Sequence, residues 1–234
     1  MPLVAARVEA VRKLRMESKR EATKRLAYTP HLFGEIRQPE SGNYLLVPSV
    51  SSEKRRYVPI GFLPSETIAS NLVLVIPNAT LYEFGILTSI VHNAWMRVVC
   101  GRLERRYRYS INIVYNNFPW PGADASKRRE NNSSDASKHR ENDSSGREND
   151  GSDAWKRRLL IEKTAQAILD ARAKYPDSTL ADLYDETFMP ADLRKAHQAN
   201  DRAVMEAYGF DPKMTESQIV AELFKLYKNL TEKR

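Results

Sequence analysis

Residues 97–109 hold the densest group of side chains that could do chemistry in this sequence, RVVCGRLERRYRY. Five arginines, two tyrosines and one glutamate occupy these thirteen positions. An arginine donates two hydrogen bonds to guanine O6 and N7, and a glutamate accepts one from the cytosine amino group, so together they can read a G·C base pair. The alternative is an exposed basic strand or loop in which Glu104 forms an internal ion pair. Tyr107 and Tyr109 either support phosphate contacts or pack beneath a sheet.

The net charge of +7 is concentrated in the first half of the chain. Residues 1–25 carry a formal charge of +5, residues 26–121 carry +3, and residues 159–234 carry −2. A basic surface favours a polyanion as partner. The alternative interpretation is a solvated basic helix face.

Most classes of catalytic site are excluded by the residues present. The single cysteine excludes a disulfide framework and a cysteine-ligated zinc site. The nine glycines form neither G-x-G-x-x-G nor G-x-x-x-x-G-K-[ST], and the four histidines have no partner at metal-ligand spacing. Two arginines near Cys100 could favour a thiolate, but a buried and inert thiol is the stronger interpretation. We predict no catalytic residue, no metal site and no cofactor bound by this chain itself.

The sequence also carries no membrane signal. It has no run of 18 apolar residues, which a membrane-spanning helix would require. Its first residues are charged every few positions, unlike a signal peptide. We therefore expect a cytoplasmic protein without membrane contact.

The first half of the chain is predicted to be an α+β unit with mainly antiparallel strands, because its connections are short. One helix is predicted over residues 3–27, and a second begins at the capping box Thr80-x-x-Glu83, in which each side chain satisfies a backbone N–H of the other. Runs of β-branched and aromatic residues between turn residues predict the strands. These strands cover residues 44–50, 57–62, 72–76 and 111–115.

The second half is predicted to be an all-helical unit that follows a disordered linker. DASKRRENNSS is repeated as DASKHRENDSS, and such polar repeats bury too little surface to offset their chain entropy. Helical periodicity returns near residue 158, and Gly209 is predicted to end one of the later helices. The predicted divisions are a connector helix (1–29), a recognition domain (30–121), the linker (122–157) and the helical C-terminal domain (158–234).

Three long stretches of this sequence resemble a known family. They are FGEIRQPESGNYLLVPSVSSEKRRYVPIGF, NATLYEFGILTSIVHNAWMRVVCGRLERRYRYSINIVYNNFPWP and YPDSTLADLYDETFMPADLRKAHQANDRAVMEAYGF. Each is similar to the C-terminal part of MmeI-like Type IIL restriction–modification enzymes and related S-adenosylmethionine-dependent adenine DNA methyltransferases. The resemblance implies a target recognition domain that reads a short asymmetric duplex site, followed by a helical C-terminal domain, in a bacterial or archaeal cell.

The resemblance also implies which residues read bases. Family members vary positions in and near the segment G-R-L-x-x-x-Y-R-Y-S, which places the variable pair at Glu104 and Arg106, with Arg108 nearby. Further upstream, Ser49 and Asn71 fall at family-style reading positions. Other basic residues are then predicted to contact phosphate and to position the duplex. These are Arg12, Lys13, Lys19, Arg20, Lys54, Arg55, Arg56 and Arg102.

The sequence departs from the family in lacking the upstream methyltransferase domain, where the parent enzymes bind S-adenosylmethionine. We therefore expect a DNA-recognition fragment that does not methylate alone, with double-stranded DNA as partner and a methyltransferase domain supplied in trans. A non-catalytic protein-interaction remnant with a basic surface is the alternative, and a working nuclease or methyltransferase is a third hypothesis that requires catalytic groups we do not find. A steep salt dependence of duplex binding distinguishes the first hypothesis from the second.

Overall fold

The computed structural model of the chain describes residues 1–122 and 150–232. Most of the predicted linker, residues 123–149, lies outside these ranges. The α+β class is confirmed, because antiparallel sheets with their helices occupy the first range and the second is all-helical. Within the described ranges, no helix has the length and apolar character needed to cross a membrane.

The N-terminal helix predicted over residues 3–27 is interrupted, so that prediction was wrong in part. The segment forms α1 (Pro2–Met16), α2 (Glu21–Arg25) and a short 3-10 turn (Leu26–Tyr28). At the break, the Ser18 hydroxyl accepts a hydrogen bond from the Arg20 N–H at 3.2 Å. Such local side-chain bonds compete with the helical ladder. The Arg15 guanidinium of α1 then holds the 3-10 turn against α1, because it donates to the carbonyls of Leu26 and Thr29 at 2.9 and 3.1 Å.

Six short strands in the described residues form two antiparallel sheets of three strands each. In the first sheet, β1 (Asn43–Pro48) lies between β3 (Gly61–Pro64) and β4 (Val73–Pro77). In the second sheet, β6 (Arg106–Arg108) lies between β2 (Val50–Ser51) and β5 (Gly101–Leu103). The predicted strand over residues 44–50 is therefore two strands, and the chain passes from one sheet to the other at Ser49.

Two other predicted strands differ from the structure. Over residues 57–62 only the last two join β3, since Pro59 has no N–H to donate to a sheet. The strand predicted over residues 111–115 is wrong, because Ile111–Tyr115 is a single π-helical turn that ends with a bond from the Asn116 N–H to the Ile111 carbonyl at 2.9 Å. Trp95 donates its indole N–H to the carbonyl of Val114 at 3.0 Å and so fixes this turn from a distant helix.

The predicted helix after residue 80 is two helices, α3 (Leu81–Thr88) and α4 (Ile90–Val99). The Thr80–Glu83 capping box is confirmed, with both of its reciprocal bonds present. The break falls at Ser89, whose extended backbone ends α3 and caps α4. The N–H of Ile90 is satisfied by a carboxylate from the second half of the chain, Asp201, at 2.7 Å.

The C-terminal helices are α5 (Asp150–Ala173), α6 (Leu180–Leu183), α7 (Ala191–Tyr208) and α8 (Glu216–Glu232). Helix α5 begins at Asp150, inside the segment 122–157 that the sequence predicts as linker. Apolar periodicity starts later, and near the start of this helix a salt bridge joins Lys156 to Asp153 at 3.4 Å. Gly209 ends α7 as predicted, with a φ of 69° that favours glycine.

The two halves share one hydrophobic core. Buried residues of the strands and of α3 and α4 belong to the same cluster as Ile161, Leu193 and Leu223 of the C-terminal helices. At Gly85 of α3 the packing is close enough that an added Cβ would lie 2.7 Å from the Ile161 Cγ2. The C-terminal helices are therefore part of the body that carries the recognition residues.

Candidate nucleic-acid interface

The residues predicted to read bases lie on a short β-hairpin formed by β5 and β6. A two-residue turn, Glu104-Arg105, joins the strands. Of the two turn residues only Glu104 has a positive φ, 57°. A non-glycine residue in this region is uncommon and costs of order 1 kcal/mol, and such strain is found most often at functional sites.

The hairpin has two faces with different roles. In β6, Arg106 and Arg108 are exposed and the intervening Tyr107 is buried. Side chains alternate along a strand and directly paired residues share a face, so Leu103, the partner of Arg106, lies on the exposed face. This exposed face therefore combines two arginines with one apolar side chain.

Arg102 lies on the opposite face, because it pairs with Tyr107. Its guanidinium carbon is 4.1 Å from the centre of the Tyr107 ring, and Nη1 donates to the Arg105 carbonyl at 3.2 Å. Both contacts lie within the hairpin and its turn. The structure thus separates Arg102 from the face that carries Arg106 and Arg108, and gives its guanidinium partners within the protein.

Glu104 and Arg106 form a salt bridge at the tip of the hairpin, with Oε2 and Nη2 3.0 Å apart. The Glu104 side chain is 77% exposed and that of Arg106 is 48% exposed. An exposed pair of this kind contributes about 0–1 kcal/mol. The internal ion pair considered above is therefore present, and it costs little to exchange it for bonds to a base pair.

Ser49 links the loop that carries Asn71 to this hairpin. Its N–H donates to the Leu72 carbonyl at 3.0 Å, and its carbonyl accepts from the Tyr109 N–H at 2.8 Å. Asn71 precedes Leu72 and Arg108 precedes Tyr109, so three predicted readers are carried on adjacent pieces of backbone. Ser49, Asn71 and Arg108 are thus brought together by the passage of the chain from the first sheet to the second.

Arg37 holds the loop that carries Asn71. Its guanidinium donates to the carbonyl of Ser70 and, at 3.3 Å, to that of Val73. Asn71 itself is exposed between these two residues. Sequence reasoning missed Arg37, which stands between Glu35 and Glu40 in the chain and gives no local signal of this role.

The basic segment Lys54–Arg56 follows β2. The pairing of Ser51 with Tyr107 means that the chain leaves the sheet towards the Arg106 end of β6. Lys54 and Arg56 are exposed and Arg55 is half-buried. The backbone is held on both sides, since the Arg55 N–H donates to the Ser52 carbonyl at 3.2 Å and Arg97 donates to the Arg56 carbonyl.

The basic residues of the N-terminal segment lie on separate elements. Arg12 and Lys13 are in α1, which buries none of its residues, and Lys19 and Arg20 are at the break before α2. Arg12 lies 3.6 Å from Glu9, in an exposed salt bridge. Among the described residues, no hydrogen bond or salt bridge joins these four side chains to the hairpin.

The remaining reactive groups show no activation. Burial raises the pKa of the Cys100 thiol, although Arg102 nearby opposes this shift, so the thiolate interpretation is not supported. Burial also lowers the pKa of His92 to about 3. His197 is fully buried and bonds the Tyr184 hydroxyl at 2.6 Å, so it is a hydrogen-bonded core residue. In the described part of the chain, no three metal-ligating side chains come together.

Sequence reasoning also missed a polar network on α7 that reaches the first half of the chain. His197, Asn200 and Asp201 share a face with Leu193 and are all buried. Burial raises the pKa of Asp201 to about 6, against hydrogen bonds that lower it. The signal in the sequence is that polar residues occupy core positions of an amphipathic helix, where they need hydrogen-bond partners.

Comparison with known proteins agrees with this architecture. The family model described as "MmeI, target recognition domain" matches residues 1–122. The model described as "MmeI, C-terminal domain" matches residues 153–233. The chain belongs to the MmeI family. The recognition-domain match begins at residue 1, so it includes the segment predicted as a connector helix.

Two relatives extend the comparison. The chain is 36% identical over 233 residues to DNA methyltransferase A of Bacillus subtilis (strain 168), covering 99% of this chain and 23% of the relative. The solved structure of the Type IIL restriction-modification enzyme MmeI in complex with DNA is 42% identical, with a TM-score of 0.79, over 99% of this chain and 27% of that one. The chain thus spans about a quarter of the length of both relatives.

Proposed function

We propose that this chain is the DNA-reading part of an adenine-specific restriction–modification methyltransferase and that it binds duplex DNA through the exposed face of the β5–β6 hairpin. The observation that carries this proposal is the convergence of Arg106 and Arg108 on one face, with Glu104 at the tip and Ser49 beside them. The MmeI relative solved with DNA supports duplex DNA as the partner. The proposal places the protein in the cytoplasm, with the DNA it reads.

In this proposal Glu104 and Arg106 exchange their mutual salt bridge for a G·C pair. The carboxylate accepts from the cytosine amino group and the guanidinium donates to guanine O6 and N7. Arg108, Ser49 and Asn71 read the neighbouring base pairs. The segment Lys54–Arg56 and the basic residues of α1 and α2 contact phosphates, which orient the duplex without reading it.

Methyl transfer belongs to a methyltransferase domain supplied upstream or in trans, with S-adenosylmethionine bound there. Four of the described helices, α3, α4, α6 and α8, have N-termini capped by side chains, which leaves fewer free N–H groups for the carboxylate of that cofactor. In this proposal no residue of the chain holds S-adenosylmethionine.

The test compares Arg106→Ala with Lys54→Ala in duplex-binding titrations. A bidentate base contact predicts that Arg106→Ala loses about 1–3 kcal/mol on the preferred sequence and relaxes one base position. A phosphate contact predicts that Lys54→Ala weakens binding equally on all sequences and reduces the salt slope by about one.

Equal losses on every sequence for Arg106→Ala would make Arg106 a phosphate contact. Absence of salt-dependent duplex binding by the wild-type chain would refute the proposed function itself. That result would favour the protein-interaction alternative, whose partner would be sought among proteins instead of nucleic acids.

A further inference from the structure

Asp201 of α7 joins the C-terminal helices to the two elements that carry the proposed DNA contacts. Its Oδ2 accepts a hydrogen bond from the Tyr57 hydroxyl at 2.6 Å, and its Oδ1 accepts one from the Ile90 N–H at 2.7 Å. Asp201 is 7% exposed and Tyr57 is 1% exposed. Both carboxylate oxygens therefore serve the first half of the chain.

Each of the two donors leads directly to a proposed contact surface. Tyr57 follows the basic segment Lys54–Arg56 in the chain. Ile90 is the first residue of α4, and the C-terminal end of α4 passes through Cys100 into β5 of the hairpin. A displacement at Asp201 would thus move Tyr57, which directly follows the basic segment. It would also move Ile90, at the start of the helix that leads into the hairpin.

Further contacts of α7 and α4 hold the same piece of backbone. The ring of His197 stacks on Tyr57 with centroids 4.2 Å apart. The Val58 N–H donates to the Asn93 side chain at 3.1 Å, and Arg97 donates to the Arg56 carbonyl. Residues 56–58 therefore contact both α4 and α7, while the Lys54 and Arg56 side chains remain exposed.

Helix α8 contacts the C-terminal half of α4. Arg97, in the last turn of α4, forms a salt bridge to Glu216 at 2.9 Å. In the middle of α4, the ring of Trp95 lies 5.1 Å from that of Phe224. The helix before the hairpin is thus fixed by the C-terminal helices at its start, middle and end.

We propose that Asp201 is a positioning residue for DNA binding, through which the C-terminal helices set the placement of the basic segment Lys54–Arg56 and of α4 against the duplex. This inference rests on the proposed function, since it assigns a role in the same interface. It makes the C-terminal helices a determinant of DNA affinity although Asp201 itself, being buried, does not touch the duplex.

The test uses Asp201→Asn and Tyr57→Phe in the full chain. Asparagine has one acceptor oxygen for two donors, and phenylalanine removes the hydroxyl alone, so both variants keep the size of the side chain. The matched control is Asp192→Asn on the same helix, because Asp192 also accepts from a tyrosine, Tyr175 at 2.9 Å, but within the C-terminal helices. Circular dichroism first establishes that all four proteins are folded at the assay temperature.

The readout is the affinity for a mixed-sequence duplex measured across a range of salt concentrations. Loss of one well-placed phosphate contact lowers the slope of log K against log salt by about 0.9. We expect Asp201→Asn and Tyr57→Phe to bind about two- to tenfold more weakly, the range that one lost hydrogen bond predicts, with a shallower slope. We expect Asp192→Asn to match the wild type in both quantities.

Three results would overturn the inference, and they are distinguishable. If the wild type binds duplex DNA with a steep salt slope and Asp201→Asn and Tyr57→Phe have the same affinity and slope as the wild type, the contacts are structural only and the proposed function stands. If Asp192→Asn weakens binding as much as Asp201→Asn, the effect is a general one of α7. If the wild type itself shows no salt-dependent binding, the proposed function fails and the inference with it.

Discussion

The buried carboxylate of Asp201 gives a prediction on stability that needs no DNA. Burial raises its pKa from 3.8 to about 6 in the folded protein. A difference of about two pKa units corresponds to about 3 kcal/mol. Because protonation favours the folded state here, this stabilisation is fully present below pH 3.8 and is lost as the pH rises through about 6.

Asp201→Asn removes this titration and leaves the others. Burial lowers the pKa of His92 and of His197 and raises that of Tyr57, and these groups titrate in both proteins. The neighbouring Arg56 and Arg202 stay charged over the whole range. The difference in free energy of unfolding between wild type and variant therefore reports Asp201 alone.

The assay is urea unfolding of both proteins at a series of pH values. We expect the wild type to lose about 2 kcal/mol relative to Asp201→Asn between about pH 4 and pH 7, because part of the full effect falls below pH 4. Asp192→Asn supplies a control of opposite sign, since a hydrogen bond from Tyr175 lowers the pKa of Asp192. Its stabilisation is lost as the pH falls. Parallel stability profiles for wild type and Asp201→Asn would refute the reasoning.

Three further predictions concern the packing and the hairpin. Gly85→Ala should lower the free energy of unfolding by about 1–3 kcal/mol in urea titrations, because its Cβ would lie 2.7 Å from the Ile161 side chain. An unchanged free energy of unfolding would show that α5 shifts to make room at no cost. Glu104→Gly should raise stability by about 1 kcal/mol by relieving the positive φ, and should also reduce base selectivity; a loss of stability contradicts the strain argument. Leu103→Ala should abolish any preference for thymine over deoxyuracil beside the G·C position, since an apolar side chain contacts the thymine methyl group. An equal preference in both proteins excludes that contact.

Local signals in the sequence were sufficient for several element boundaries. The capping box at Thr80 and the left-handed Gly209 both appear in the structure, because each depends on residues a few positions apart. The antiparallel pairing and the helical second half also followed from patterns that are local in the chain.

The errors arose where distant residues decide the local structure. The break between α3 and α4 depends on Asp201, which lies 111 positions from Ile90. The segment Ile111–Tyr115 alternates like a strand, but Trp95 holds it as a π-helical turn. Tertiary contacts of this kind override local propensity and leave no mark in a short window of sequence.

The candidate site divides in the same way. The composition of residues 97–109 and the family resemblance pointed to Glu104 and Arg106, and the structure places both at the tip of one hairpin. The separation of Arg102 from this face depends on strand register, which follows from the hairpin turn and cannot be read from composition. The support from Asp201 could not be foreseen, because it comes from the other half of the chain.

The most direct test of the account is a binding selection from a random duplex library, followed by sequencing of the bound DNA. We expect the wild-type chain to enrich a short asymmetric site, and we expect Arg106→Ala to keep this site but to lose preference at one G·C position. Recovery of sequences without any enriched site, or an unchanged site for Arg106→Ala, would contradict the assignment of the hairpin face as the part that reads DNA.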